Sequence, residues 1–274
     1  MKKSIYGITI VSTILLCICF LSCNDEKQTI NEPDSLHKII DIGIAHNKVL
    51  ASMLTKLEAL PKTRSGEVDV SDEEIEDLAL ETAMEIVDEC EIEDEYKTAI
   101  YEYLDEMVEN QTFDDVELTY GKLPSTLEPL TRELDLVFTD DDDDLTSLLN
   151  RVAQIETTAK STLTGQDLET MLTACCVTSY TLQYWNDYAL SWVELSQSSS
   201  TRASFSWKSL GRADLQGCVA AVGGGVATVL IKCGPVGWKA WAAIAIGGAV
   251  SGSIINAWDQ LCPEDTNTEQ TTQP

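Results

Sequence analysis

Residues 213–258 have the sequence ADLQGCVAAVGGGVATVLIKCGPVGWKAWAAIAIGGAVSGSIINAW. Ten of the fifteen glycines in the chain lie between Gly211 and Gly252, where charged residues are few. Gly234 and Pro235 separate two apolar runs; glycine suits the end of a helix, and proline suits the first position of the next helix. The stretch therefore predicts a helical hairpin rich in glycine and alanine.

The glycines of this hairpin are placed where two helices could approach closely. Gly223, Gly224 and Gly225 follow one another on the first arm, and Gly248 and Gly252 form a GxxxG pattern on the second. Missing side chains allow two helix backbones to come together, both in membranes and in protein cores. These glycines are candidate residues for helix packing or for a membrane hairpin.

Two interpretations of the hairpin remain open on sequence alone. Its apolar arms, 213–231 and 236–258, have 19 and 23 residues, enough to cross most of a bilayer's hydrocarbon at about 1.5 Å per residue. Glycine and alanine contribute little to insertion, however, and Lys232 and Lys239 near the tip would have to cross the bilayer. We therefore expect a buried hairpin, with a membrane-active segment as the alternative.

The N-terminus has the pattern of a lipoprotein signal. An apolar run follows Lys2 and Lys3 and ends at Leu21-Ser22-Cys23. A short basic start and a hydrophobic stretch of this length fit an export signal better than a membrane span. We expect residues 1–22 to be removed, Cys23 to be acylated and the polar residues 23–34 to form a flexible tether.

The charge of the chain excludes some partners. The net charge is −28, and removal of residues 1–22 takes away two lysines and no acid, giving −30. Residues 67–144 hold 30 acidic side chains against Lys97, Lys122 and Arg132. Such a charge repels phosphate backbones and anionic lipid, so nucleic acid is not expected as a partner and membrane attachment requires acyl chains or apolar surface.

Helical periodicity covers most of the remaining chain. Apolar residues recur at helical spacing from 36 to 60, and Ser71 with Glu74 has the spacing of a capping box before the next amphipathic run. We predict one all-α domain, 35–262, in which a bundle of acidic amphipathic helices surrounds the hairpin. Its parts are acidic helices at 35–138, long helices at 139–197 and the hairpin at 213–258, and residues 263–274 are expected to be a disordered tail.

A polar pair interrupts the apolar stripe of the first helix. His46 and Asn47 stand where the stripe should continue between Gly43 and Leu50. Buried polar side chains need hydrogen-bond partners, so we expect this pair to tie the helix to a neighbouring backbone. A role in catalysis or ligand binding is the less favoured interpretation.

The sequence contains no catalytic motif that stands out, and neither a cofactor nor a metal site is predicted. Six cysteines remain after Cys17, Cys19 and Cys23 are set aside, which permits fifteen disulfide connectivities. The helix predicted at 166–195 carries aromatic side chains that favour core packing, with a sugar-stacking surface as the alternative. These aromatic residues are Tyr180, Tyr184, Trp185, Tyr188 and Trp192.

Short segments of the chain resemble known bacterial proteins. Asn24-Asp25-Glu26 directly after Cys23 resembles the start of surface lipoproteins of Bacteroidota, and this resemblance implies a lipid-anchored protein on the outer membrane that faces outward. The segments 41–48, 184–185 and 213–214 are similar to uncharacterised secreted proteins of that phylum. The resemblance implies no activity.

These observations predict a non-enzymatic lipoprotein that binds a protein or glycan partner and touches the membrane through its lipid anchor. The first alternative is a membrane-active protein, bacteriocin-like or pore-forming, acting through residues 213–258. The weaker alternative is a surface hydrolase.

Overall fold

The computed structural model describes residues 32–62, 71–89, 92–109, 123–139, 144–196, 205–222 and 238–261. Within these ranges the fold is all-α, as predicted, with eight α-helices and no strand. The helices are α1 (Glu32–Ala59), α2 (Asp72–Glu89), α3 (Asp94–Glu109), α4 (Glu128–Asp135), α5 (Leu145–Thr162), α6 (Gly165–Ser196), α7 (Trp207–Ala220) and α8 (Trp238–Leu261). A short 3₁₀ helix, Leu136–Phe138, follows α4.

The first helix begins earlier than expected. Because α1 starts at Glu32, residues 32–34 are helical and do not belong to the tether predicted for 23–34. Proline is well tolerated in the first turn of a helix, so Pro33 is compatible with this start. The signal 1–22, Cys23, the rest of the tether and the tail 263–274 lie outside the described residues.

Local side-chain contacts define two of the helix starts. At α2 the Ser71 amide donates to Glu74 Oε2 at 2.8 Å and the Glu74 amide donates to Ser71 Oγ at 3.3 Å, which is the reciprocal pattern of a capping box. At α5 the Asp144 carboxylate accepts from the Ser147 amide at 2.9 Å. Each contact satisfies an amide that the first helical turn leaves without a partner.

The arms α7 and α8 make the most extensive helix contact among the described residues. A Cβ atom on Gly248 would fall 2.5 Å from the Gly217 carbonyl oxygen, and one on Gly252 would fall 2.8 Å from the Ala213 carbonyl oxygen. These glycines let the two backbones touch. The other predicted hairpin residues, Gly223, Gly224, Gly225, Gly234 and Pro235, lie outside the described residues.

Four further helices pack against α8 and bury it. Among these four, α2 makes the most extensive contact with α8, α1 and α3 follow, and α6 makes the smallest. The apolar stripe of α2, from Ile75 to Val87, and Leu104 of α3 belong to the same core as Trp241 and Ile254 of α8. The acidic amphipathic helices α2 and α3 thus cover α8.

A second apolar core lies on the other side of α6 and α7. It contains Leu134 of α4, Phe138 of the 3₁₀ helix and Val152 of α5. These side chains pack against the first half of α6, and Leu215 of α7 joins them. The second half of α6 faces the first core. The helices α6 and α7 therefore form a wall that both cores share.

One helical segment among the described residues is long and apolar enough to cross a membrane. It is Lys239–Trp258 of α8, with a mean hydropathy of 1.4. In the folded chain 94% of its apolar window is buried inside the protein. Its apolar surface thus contacts other helices in this conformation.

Candidate functional site

The helices α1 and α6 come close together beside the polar pair of α1. A Cβ on Gly43 would overlap the ring of Tyr180, so only glycine allows this approach. His46 and Asn47 follow three and four residues later, which places them on the same face of α1, towards α6. His46 is fully buried.

The hydrogen-bond partners of His46 favour the protonated form of its imidazole. Asn47 Nδ2 donates to the Tyr180 carbonyl oxygen at 3.0 Å, so its Oδ1 faces His46 Nδ1, also at 3.0 Å. His46 Nε2 lies 3.0 Å from Asp214 Oδ1. Asn47 Oδ1 and the Asp214 carboxylate both accept, so only the imidazolium form of His46, with a proton on each ring nitrogen, satisfies both contacts together.

Asp214 of α7 is the centre of this polar cluster. Its second oxygen, Oδ2, accepts from Thr181 Oγ1 at 2.9 Å and from Trp185 Nε1 at 2.9 Å. With His46 it thus receives three hydrogen bonds from two helices, and its side chain is fully buried. We define the buried polar cluster as His46, Asn47, Thr181, Trp185 and Asp214.

The environment of His46 favours its charged form. Burial by itself lowers the pKa of the imidazole, but the charge of Asp214 and the hydrogen bonds to Asp214 and Asn47 raise it, and the net shift is upward from the ordinary value of 6.5. Both members of the ion pair are closed to solvent. The cluster can therefore join α1, α6 and α7, and no substrate reaches it in this conformation.

Asp214 was not predicted from the sequence as a partner of His46. The available signal was an isolated carboxylate in the otherwise apolar run that begins at Ala213. Arg212 is two residues before Asp214, and residues at this spacing do not face each other on a helix, so a buried Asp214 needs a distant partner. That distant partner lies 168 residues away.

A second ion pair holds α7 on the side of the second core. Arg212 Nε and Nη2 donate to the two carboxylate oxygens of Asp135 at 2.8 Å and 2.6 Å. This bidentate geometry is among the stronger charge-assisted contacts in proteins. The helix α7 is thus bound by charged contacts to α1 through Asp214 and to α4 through Arg212.

Three of the six cysteines considered for disulfides are free thiols in the described residues. Burial raises the pKa of Cys175 and Cys218. It also raises the pKa of Cys176 to about 12, although a hydrogen bond with the Gly43 backbone acts in the opposite direction. Such thiols are poor nucleophiles at neutral pH because the reactive thiolate is scarce. The other cysteines are Cys90, Cys233 and Cys262, which lie outside the described residues.

Most of the predicted aromatic surface is part of the core. Tyr184, Trp185 and Trp192 are buried, and Trp192 Nε1 donates to the Tyr184 hydroxyl at 3.1 Å. Tyr180 is partly covered and packs beside Gly43. Tyr188 is exposed and stacks on Tyr184 with ring centres 4.9 Å apart. A continuous sugar-stacking surface on this helix is therefore not formed.

An open groove lies beside the end of α6. We define the α6 groove as the cavity of about 310 Å³ between the last turns of α6 and the start of α7. Asn186, Leu190 and Glu194 are spaced four residues apart on its α6 side, and Phe205 and Trp207 line the opposite side. It combines apolar surface with an amide and a carboxylate.

The described residues contain no group of three or more histidine, cysteine, aspartate or glutamate side chains arranged to hold a metal ion. Comparisons with protein-family models, curated proteins and solved structures found no match to this chain.

Proposed function

We propose that the protein is a lipid-anchored lipoprotein of the outer membrane, facing outward, that binds a protein or glycan partner without catalysing a reaction. Cys23 at the end of the N-terminal apolar run supports the anchor. The observation that carries the binding role is the α6 groove, where Leu190 is 78% exposed between Asn186 and Glu194.

The composition of the α6 groove supports a binding role. Aromatic side chains such as Trp207 supply rigid contact area for a ligand, and the amide of Asn186 and the carboxylate of Glu194 can orient it by hydrogen bonds. Leu190 lies between them and has little contact with its own protein. Burying this side chain against a partner would remove apolar surface from water.

The anchor is tested by lipid labelling in a Bacteroidota host. We expect the full-length protein to incorporate a labelled fatty acid and to be cleaved by protease added to intact cells. Cys23→Ser is expected to lose the label, because the thiol is the acylated group. Equal labelling of both proteins would exclude acylation at Cys23, and protection from protease in intact cells would exclude the outward orientation.

The binding role is tested by crosslinking from the α6 groove. Replacing Leu190 with the photoreactive residue p-benzoylphenylalanine is expected to give a higher-mass adduct on irradiated cells, because the groove contacts the partner. The control is the same replacement at Leu136, which is 52% exposed in the 3₁₀ helix beyond α4. No adduct from position 190, or equal adducts from both positions, would contradict the proposed binding surface.

A second candidate function is a membrane-active protein that inserts its glycine-rich hairpin into a bilayer. The specific observation in its favour is the segment Lys239–Trp258, whose length and hydropathy suffice for a membrane span. Its burial means that membrane activity requires a change in the helices that cover it.

A further inference from the structure

The helices α2 and α3 form a separate layer over α8. They pack chiefly against α8, against α1 and against each other, whereas α4 and α5 pack around the other core. We define the acidic cover as α2 and α3 together. It joins the rest of the chain through residues at 63–70 and 110–122, outside the described ranges.

The two sides of the acidic cover differ strongly in polarity. Nine acidic residues lie in α2 and six in α3, against Lys97 as the one basic residue. The inner side is apolar, with Ala79, Ala83 and Leu104 buried in the first core. The cover thus places a negatively charged surface between the apolar helix α8 and any lipid.

The acidic cover contacts α8 mainly through apolar side chains. The Tyr103 hydroxyl donates to the Ala220 carbonyl at 2.8 Å, and Lys56 contacts Glu85 at 2.9 Å in a partly exposed ion pair of the kind that contributes little. By contrast, α7 is held by the buried Asp214 and by Arg212. A bilayer can replace the apolar contacts of α8 with contacts to lipid chains, but it cannot replace the buried charged contacts of α7.

Two buried serines of α8 hydrogen-bond within the helix itself. Ser251 Oγ donates to the Gly247 carbonyl at 2.9 Å and Ser253 Oγ to the Val250 carbonyl at 3.3 Å. A helix that satisfies its own polar groups is the form that hydrocarbon tolerates. The 20 residues of Lys239–Trp258 span about 30 Å, close to the thickness of the hydrocarbon layer.

We propose that the acidic cover is a detachable lid over α8, and that the lipid bilayer takes its place against α8 when it detaches. This inference rests on the second candidate function, membrane activity. The α7–α8 pair stays together on opening, because its glycine contacts bring the two backbones into direct contact.

A disulfide between the lid and α8 tests the proposal. A Cβ on Gly247 would lie 3.7 Å from Leu104 Cγ, so cysteines at both positions are close enough to pair after a small shift. The full chain with Leu104→Cys and Gly247→Cys is added to phosphatidylcholine vesicles loaded with a self-quenching dye. Peptide mapping verifies the disulfide, and the same sample is measured before and after reduction.

The reduced protein is expected to release dye at least tenfold faster than the oxidised protein. Both forms share the N-terminal apolar run and the loss of the Leu104 side chain, and the unsubstituted chain treated with the same reductant corrects for any effect on the nine native cysteines. Equal release by both forms would overturn the lid and leave membrane activity standing. No release by either form would overturn membrane activity itself, and the lid with it.

A single substitution provides a second test should the double variant fail to fold. Ala83 is fully buried on the inner side of α2, so Ala83→Asp places a charge between the lid and α8. We expect it to release dye at least fivefold faster than the unsubstituted chain. The control is Glu81→Asp, a change at an exposed position of the same helix, and a release rate for Ala83→Asp equal to that of the control would overturn the proposal.

Discussion

Asp214→Ala is expected to lower the free energy of unfolding by about 3 to 5 kcal/mol, the usual cost of removing one partner of a buried ion pair. The substitution leaves His46 without its counter-ion and removes the acceptor of Thr181 Oγ1 and Trp185 Nε1. All of these donors are buried, so water does not replace the lost bonds without structural change. Denaturant unfolding followed by circular dichroism measures the loss.

Asp214→Asn is the matched control. An asparagine has the same shape, its Oδ1 can accept from Thr181 and Trp185, and its Nδ2 can donate to a neutral His46. We therefore expect it to cost less than half as much as Asp214→Ala. Equal losses in the free energy of unfolding for the two variants would show that the hydrogen bonds of Asp214 do not account for the destabilisation.

The contribution of His46 to stability is expected to depend on pH with opposite signs in the unsubstituted chain and in Asp214→Asn. In the unsubstituted chain the pKa of His46 is raised above 6.5, so its contribution to stability is complete below pH 6.5 and is lost as the pH rises through the folded-state value. In Asp214→Asn burial remains and the raising charge is gone, so the pKa of His46 is expected to fall below 6.5. The His46 contribution then increases as the pH rises towards neutrality.

Gly248→Ala is expected to destabilise the protein by about 3 kcal/mol, at the upper end of the usual cost of overpacking. The added methyl group overlaps the Ala221 side chain and lies 2.5 Å from the Gly217 carbonyl oxygen. A backbone atom in a helix cannot turn away as a side chain can, so α7 and α8 must separate. Thermal and denaturant unfolding of the purified variant measure this effect.

Gly247→Ala provides a control one residue away in the same helix. There the new methyl group meets the end of the Leu104 side chain at 2.9 Å, which can move by a small rotation. Alanine is also the better helix former by about 1 kcal/mol. We expect Gly247→Ala to stay within about 1 kcal/mol of the unsubstituted protein. Equal losses at both positions would argue against a backbone contact at Gly248.

The helical class and several helix boundaries could be predicted because their signals are local. The apolar spacing around Leu50 and the capping box of Ser71 and Glu74 lie within a few turns of one helix. The close approach at Gly248 was also visible as GxxxG, although its counterpart was not identified. Ala213, Gly217 and Ala221 repeat small residues every fourth position and could have indicated that counterpart.

The pairing of His46 with Asp214 could not be predicted in the same way. Each residue is unusual in its own segment, but contact across 168 residues leaves no periodic trace in one chain. The α6 groove is similar, since Leu190 and Trp207 meet only after two helices have folded. Long-range packing determines both features.

The wall formed by α6 and α7 makes the two apolar cores depend on each other. The 32 residues of α6 span about 48 Å, and its first half closes one core while its second half closes the other. Fraying of this helix in one core removes support from the neighbouring turns in the other. The cooperativity of the described helices therefore has a specific source, which is one long helix whose unfolding would disrupt both cores.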